Sequence, residues 1–274
     1  MAKKKSVRGE NILGFVIEKI RRSGLKGIIV IAAAAIILLI VMIMAIVGGD
    51  DTPETDVENG VAYIQTLEQK DYSEVENAIK ALKKAERKAA FESGEVDVWA
   101  QLEDTVIMGD SRAVGFYVYE FIEERRVLAA GGDTIRNISD YMDALVAVNP
   151  SNVILCYGLN DISIGYWDTV EEYIAELDEM VALIRQNLPD ATVYVNQTIP
   201  AIDPAFSRSE KWRSIPDWNV AIKAHCEETG IAYVDLSDTF AANPDLYNED
   251  GIHVPRAFYP LWAIDIVTEV YENE

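Results

Sequence analysis

The chain is short of the residues that most often build metal and redox centres. It has two histidines and two cysteines in 274 residues. No His/Cys/Asp cluster offers a metal ion its ligands, so no metal is expected. Neither a G-x-G-x-x-G fingerprint nor a P-loop occurs, so a nucleotide has no site and no cofactor is expected. Internal repeats and low-complexity tracts are absent. Basic charge is scarce beyond residue 49. Residues 1–49 hold eight Lys/Arg against two Asp/Glu, whereas the rest hold 16 against 44, a net of −28. Such a surface repels phosphate backbones and anionic lipid heads, which disfavours nucleic acid as a partner.

Charge of either sign is missing from Gly27 to Gly49, GIIVIAAAAIILLIVMIMAIVGG. An apolar run of about 20 residues can cross a bilayer as a helix. Its N-terminal flank is basic (Lys19, Arg21, Arg22, Lys26) and its C-terminal flank is Asp50-Asp51. That asymmetry places the N-terminus in the cytoplasm and the remainder outside. A cleaved signal peptide has a shorter apolar core and a small-residue cleavage site. A core helix of a soluble protein seldom needs so many uncharged residues in a row. No cysteine adjoins the run to carry a lipid. The expected organisation is a basic cytoplasmic tail over 1–26, a single transmembrane helix over 27–49, a juxtamembrane linker and amphipathic helix over 50–100, and an outer domain over 101–274. Oxidising surroundings permit a bridge between Cys156 and Cys226. Their places in an expected strand and an expected helix favour two buried free thiols.

Residues 50–60 (DDTPETDVENG) read as an acidic, turn-rich linker. Over 73–92, Val75, Ala78, Ile79, Leu82, Ala85 and Ala89 recur at helical steps. Ser73 with Glu76 forms a capping box at the start and Gly94 a stop. The apolar stripe must be buried on the domain or on a second copy, so residues 73–92 are a possible homo-oligomer contact. From about residue 100, strands at 105–108, 126–129, 153–157, 192–196 and 232–234 alternate with helical patterns near 113–124, 134–147, 169–187, 209–229 and 256–272. This alternation implies a parallel sheet covered on both faces. Ligands bind such sheets beyond the C-terminal strand ends.

The residues with chemistry cluster there. Ser111, in Gly109-Asp110-Ser111, follows the first strand at a strand-to-helix turn. A serine there exposes its hydroxyl and sets its N–H at a helix N-terminus, which favours developing negative charge. The same residue also suits a plain helix cap. It is not the elbow of α/β-hydrolases, because Ala113 stands where that motif has glycine. His253, in Asp250-Gly251-Ile252-His253, is a base of suitable pKa for serine chemistry. Asp250, three residues earlier, can accept the ring Nδ1–H and leave Nε2 for the serine. His225 sits mid-helix, where packing or solvation is its default. Asn160 follows an apolar strand in Gly158-Leu159-Asn160-Asp161, and its side-chain amide can donate to an oxyanion. Gly132, in Ala130-Gly131-Gly132-Asp133-Thr134, lets a backbone N–H approach a substrate. It fits equally a tight turn before a capped helix.

Taken in order, GDS, the second-block glycine, GLND and DGIH resemble the SGNH branch of the GDSL hydrolases over about residues 103–272. The resemblance implies a three-layer α/β/α sandwich with a flavodoxin-like, parallel five-stranded sheet. It implies a serine esterase with Ser111 as nucleophile, His253 as base and Asp250 completing the triad. The oxyanion hole would comprise the Ser111 N–H, the Gly132 N–H and the Asn160 amide. Gly115 matches a family glycine four residues after the serine. Gly131 replaces a serine common in the second block, which alters the local loop. Tyr166, Trp167 and Trp212, with Trp218, stand in long connections that flank the site and are candidates for sugar stacking or an acyl slot. An outward-facing esterase on a membrane anchor meets cell-surface carbohydrate first, so a small acyl ester on such a glycan is the expected substrate. An O-acyltransferase to a glycan and a tethered, non-catalytic binding module are the alternatives. The intact set of four blocks weighs against the second.

Overall fold

The computed structural model describes residues 73–273, together with Leu39, Val57 and residues 59–63. Apart from Leu39, the expected tail and membrane span lie outside the described residues, as do most of the linker and the Ser73–Glu76 capping side chains. Among the described residues no helix is long and apolar enough to cross a membrane. The chain divides into two compact units, Met1–Tyr72 and Ser73–Glu274. The helix expected to accompany the linker therefore belongs to the same unit as the sheet.

Five strands form that sheet: β1 (Thr105–Gly109), β2 (Val127–Ala129), β3 (Asn152–Cys156), β4 (Thr192–Asn196) and β5 (Ala232–Val234). All pair in parallel in the order β2-β1-β3-β4-β5. β1 is buried along its whole length, as a strand covered on both faces must be. Alternation then divides its side chains between two cores. Ile107 joins Ile154, Tyr194 and Val234 under helices α1 (Ser73–Glu92), α2 (Ser111–Val118) and α8 (Phe258–Asn273). Val106 and Met108 join Val153, Leu155, Val193 and Val195 under α3 (Ile138–Val148), α5 (Val170–Asn187) and α6 (Ile215–Thr229). Each fully buried aliphatic side chain contributes about 1.5–3 kcal/mol, and the result is three layers.

The helices depart from the sequence expectation where local chemistry intervenes. α2 stops at Val118 because Glu120 turns left-handed (φ 61°). α6 starts at Ile215, after a 3₁₀ stretch (Glu210–Ser214), with Pro216 in its first turn, where proline's missing N–H costs nothing. Two helices carry no periodic signal because each has six residues: α4 (Leu159–Ile164) and α7 (Ser237–Ala242).

The stripe on α1 is not buried: Val75, Ala78, Ile79, Leu82, Ala85 and Ala89 are all exposed. Phe91 enters the core, and Lys84, Arg87 and Lys88 pair with Glu269, Glu272 and Asp265 of α8 at 2.7–3.2 Å. Val75, Ile79 and Leu82 are the large apolar side chains among these exposed positions. Cys156 and Cys226 are buried free thiols on opposite faces of the sheet.

Candidate active site

β1 ends at Gly109 between β2 and β3, so the loop that follows it emerges between the loops that follow its two neighbours. Asp110 caps α2 by accepting the Arg112 N–H at 2.9 Å. Ser111 is thus the first helical residue rather than the cap. Its N–H is among those that a helix leaves without an internal partner. The Arg112 guanidinium is buried and grips both oxygens of Asp110, from Nε at 3.1 Å and Nη2 at 2.8 Å. Its Nη1 reaches the Ile199 carbonyl at 2.8 Å.

His253, 142 residues downstream, places Nε2 2.9 Å from Ser111 Oγ. Asp250 Oδ2 accepts from His253 Nδ1 at 2.6 Å, while its Oδ1 accepts the Ile252 and His253 N–H groups, each at 3.0 Å. Such side-chain-to-backbone bonding closes a tight turn and aims the ring. Partial burial pushes the Asp250 carboxyl upward. The hydrogen bonds from the His253 ring and the two N–H groups outweigh it and hold the pKa at about 2. Asp250 is therefore an anion at every working pH and keeps the ring proton on Nδ1. The Nε2 lone pair then faces the Ser111 hydroxyl, the geometry for general-base attack.

The two other residues expected at the site, Gly132 and Asn160, lie on the flanking loops. Gly132, with φ +93°, occupies the β2–α3 loop. Asp133 braces that loop by accepting from Ala130 N at 2.9 Å and from the Tyr141 hydroxyl at 2.7 Å. Thr134 N donates to Asn137 Oδ1 at 2.9 Å and starts the next turn. Asn160 sits in the first turn of α4, and its Nδ2 donates to the Asp133 carbonyl at 2.9 Å. An amide NH₂ has two protons, so one is committed to the neighbouring loop and one remains for a ligand.

Asp161 was not singled out by its sequence context. It is fully buried and accepts the Ile135 N–H on Oδ1 and the Gly158 N–H on Oδ2, both at 2.8 Å. Burial raises its pKa to about 6 despite those bonds. Its place as the Asp of GLND, next to Asn160, is the only signal available. Arg112 was likewise missed, since a basic residue after a serine has no distinctive spacing.

The aromatic candidates separate by burial. Trp212 belongs to a small cluster with Leu159, Ile162 and Ile252, and its indole N–H donates to the Leu159 carbonyl at 2.9 Å. Trp167 packs edge-on against Tyr173 in the core. Both are almost fully buried and present almost no free face, contrary to the stacking role expected of them. Tyr166 is exposed, with Arg136 stacked over both Tyr166 and Trp167 at 4.9 Å. Among the described residues no group of His, Cys, Asp and Glu is arranged to hold a metal ion.

Comparison with known proteins places this geometry in a family. No curated protein matches the chain. The fold is similar to that of a Bacteroides fragilis protein described as an acylhydrolase (20% identity, TM-score 0.52), covering 62% of this chain and 86% of that one. It is also similar to a GDSL-like lipase from Bacteroides thetaiotaomicron (17% identity, TM-score 0.52), covering 62% and 88%. The model of the GDSL-like lipase/acylhydrolase family matches residues 107–259, from inside β1 to the start of α8 and more than half of the sequence. The chain therefore belongs to the GDSL-like lipase/acylhydrolase family and is a hydrolase acting on ester bonds.

Proposed function

We propose that the protein is a serine esterase that removes small, acetyl-type acyl groups from cell-surface carbohydrate through a Ser111–His253–Asp250 triad. The observation that carries this reading is the continuous relay of Ser111 Oγ, His253 Nε2 at 2.9 Å, and His253 Nδ1 to Asp250 at 2.6 Å. It sits at the C-terminal edge of a parallel sheet, where such sheets bind ligands.

In the first step Ser111 Oγ attacks the ester carbonyl while Nε2 takes its proton. The Ser111 N–H, the Gly132 N–H and the free proton of the Asn160 amide hold the resulting oxyanion. One such donor is worth about 2.7–4 kcal/mol in the transition state. The tetrahedral species collapses, and His253 returns the proton to the departing alcohol oxygen. Water then attacks the acyl-serine with His253 again as base, which releases the acid and restores Ser111.

Support for a substrate carried on a large molecule comes from exposure. The His253 and Asp250 side chains are 39% and 33% accessible, so the reacting atoms lie near the surface rather than down a narrow tunnel. Location rests on the sequence alone. The 27–49 run anchors the chain, with residues 1–26 in the cytoplasm and the hydrolase outside. The full chain, in mild detergent, should hydrolyse p-nitrophenyl acetate and release acetate from an O-acetylated glycan. Ser111→Ala should abolish both, and equal activity of the variant rejects the nucleophile. Acetate transfer that requires an acceptor sugar would instead favour acyltransfer. Protease added to intact cells should remove the hydrolase unit, and full protection rejects the orientation.

A further inference from the structure

The reading above names three oxyanion donors but not what fixes their separation. Two of them sit on different loops, after β2 and after β3, and β1 with Ser111 lies between those strands. Strand spacing sets where the two loops leave the sheet, but not where the groups within them point. We propose that Asp161 is the positioning residue that fixes this, a carboxylate clasp joining the Gly132 loop to the Asn160 loop beneath Ser111.

The inference rests on the proposed triad and oxyanion hole, and on the bonding of one side chain. Oδ1 accepts the N–H of Ile135, three residues after Gly132, and Oδ2 accepts the N–H of Gly158, two residues before Asn160, both at 2.8 Å. A carboxylate offers two acceptor oxygens, and here both are used. Asparagine would supply one acceptor and turn an NH₂ toward the other N–H. A second strand of the clasp runs in parallel, from Asn160 Nδ2 to the Asp133 carbonyl at 2.9 Å, adjoining Gly132. The clasp is rigid because Asp161 is fully buried and Leu159 and Ile162 on either side of it pack against Trp212 and Ile215. Asp161 touches no reacting atom. Its effect on rate is transmitted through where the Gly132 N–H and the Asn160 amide point.

Displaced donors weaken a developing oxyanion more than a bound ester, so the loss should appear in kcat and not in KM. Sulfur is a weak hydrogen-bond acceptor. A thionoester, which puts sulfur in the hole, should therefore feel the displacement much less. The experiment compares the full-length wild type, Asp161→Asn and Ser111→Ala on p-nitrophenyl acetate and its O-aryl thionoacetate counterpart. Asp161→Asn should lose roughly a hundredfold in kcat on the ester, with KM within about twofold. Its ester-to-thionoester preference should fall at least about tenfold. A kcat within about threefold of wild type, or equal losses on the two substrates, overturns the clasp. Activity retained by Ser111→Ala would instead overturn the underlying triad. If Asp161→Asn does not fold, amide exchange in the wild type decides. Ile135 and Gly158 N–H should be protected together by at least about a hundredfold, and exchange at exposed-loop rates rejects the clasp.

Discussion

Gly158→Ala tests most directly how the fold places Asn160. Gly158 has φ +121° and precedes α4. Alanine is excluded from that backbone region, and holding it there costs about 1–3 kcal/mol. The added methyl would also meet Thr198 Oγ1 at 2.2 Å and Cγ2 at 2.9 Å. Thr198 has nowhere to move. Its hydroxyl donates to the Tyr157 carbonyl at 2.9 Å, and Asn219 grips its N–H and carbonyl at 3.0 and 2.8 Å. Forcing a methyl into such packing costs a further 1–3 kcal/mol or so. The sum, about 2–6 kcal/mol, is a large share of an ordinary domain's 5–15 kcal/mol or so. Any relaxation that relieves it shifts Asn160, two residues on, so kcat should fall by about 10²–10³. Denaturant unfolding and p-nitrophenyl acetate turnover of the full chain measure the two effects. Thr198→Ala separates the causes, since it removes both clashing atoms at the expense of one hydrogen bond, about 1 kcal/mol. In that background Gly158→Ala should cost only the backbone share, a coupling of about 1–3 kcal/mol. Equal costs in both backgrounds refute the steric argument, and an undiminished kcat refutes the link from Gly158 to Asn160.

Two further outcomes follow from the same geometry. Gly115→Ala places a methyl 1.8 Å from the Tyr259 hydroxyl, which donates to the Arg112 carbonyl at 2.8 Å. Overpacking plus the lost bond should cost about 2–4 kcal/mol, or roughly 5–15 °C in Tm by thermal unfolding. Tyr259→Phe alone should cost only about 1 kcal/mol. Asp250→Asn turns an amide NH₂ toward Nδ1, moves the ring proton to Nε2 and blocks the base, so kcat should drop by about 10²–10⁴. With a folded-state pKa of about 2 against the ordinary 3.8, ionised Asp250 stabilises the fold above pH 4 or so. That contribution disappears as pH falls through about 2. Asp250→Asn should flatten the stability profile on this acid limb, and an unchanged limb contradicts the assigned pairing.

The residues proposed to be catalytic are legible in the sequence because each sits in a short local pattern with its own chemistry. Gly-Asp-Ser follows a strand, and Asp250 reaches His253 within one turn, a contact readable from a three-residue spacing. The strands were legible for the same reason, as short apolar runs bounded by turn residues. Burial was not. Trp167, Trp212 and Tyr166 look alike as large aromatics in loops, and only tertiary packing commits the first two to the interior and leaves the third in solvent. The helix stripe on α1 likewise gave no sign that charge pairing beside it, with α8, would hold the helix while Val75, Ile79, Leu82, Ala85 and Ala89 stay outside.

The meeting of Ser111 and His253 depends on contacts with no sequence signature at all. Arg112 reaches from the Ser111 turn to the Ile199 carbonyl. Three residues on, Ile202 donates its N–H to the Gly251 carbonyl at 2.9 Å, within the turn that carries Asp250 and His253. Gly251 has no room for a side chain, because a Cβ would come within 2.4 Å of the Ile202 carbonyl. Tyr247 closes the same bridge from outside by donating to the Pro200 carbonyl at 2.9 Å. The segment 199–202 thus bonds to Arg112, the neighbour of Ser111, and to Gly251, between Asp250 and His253, through backbone atoms whose partners any residue could have supplied. A backbone carbonyl accepts a guanidinium or a phenol with little regard for the side chain beside it. The residues proposed to perform chemistry are readable one by one, while the spacing between them is written in main-chain hydrogen bonds that only the folded chain reveals.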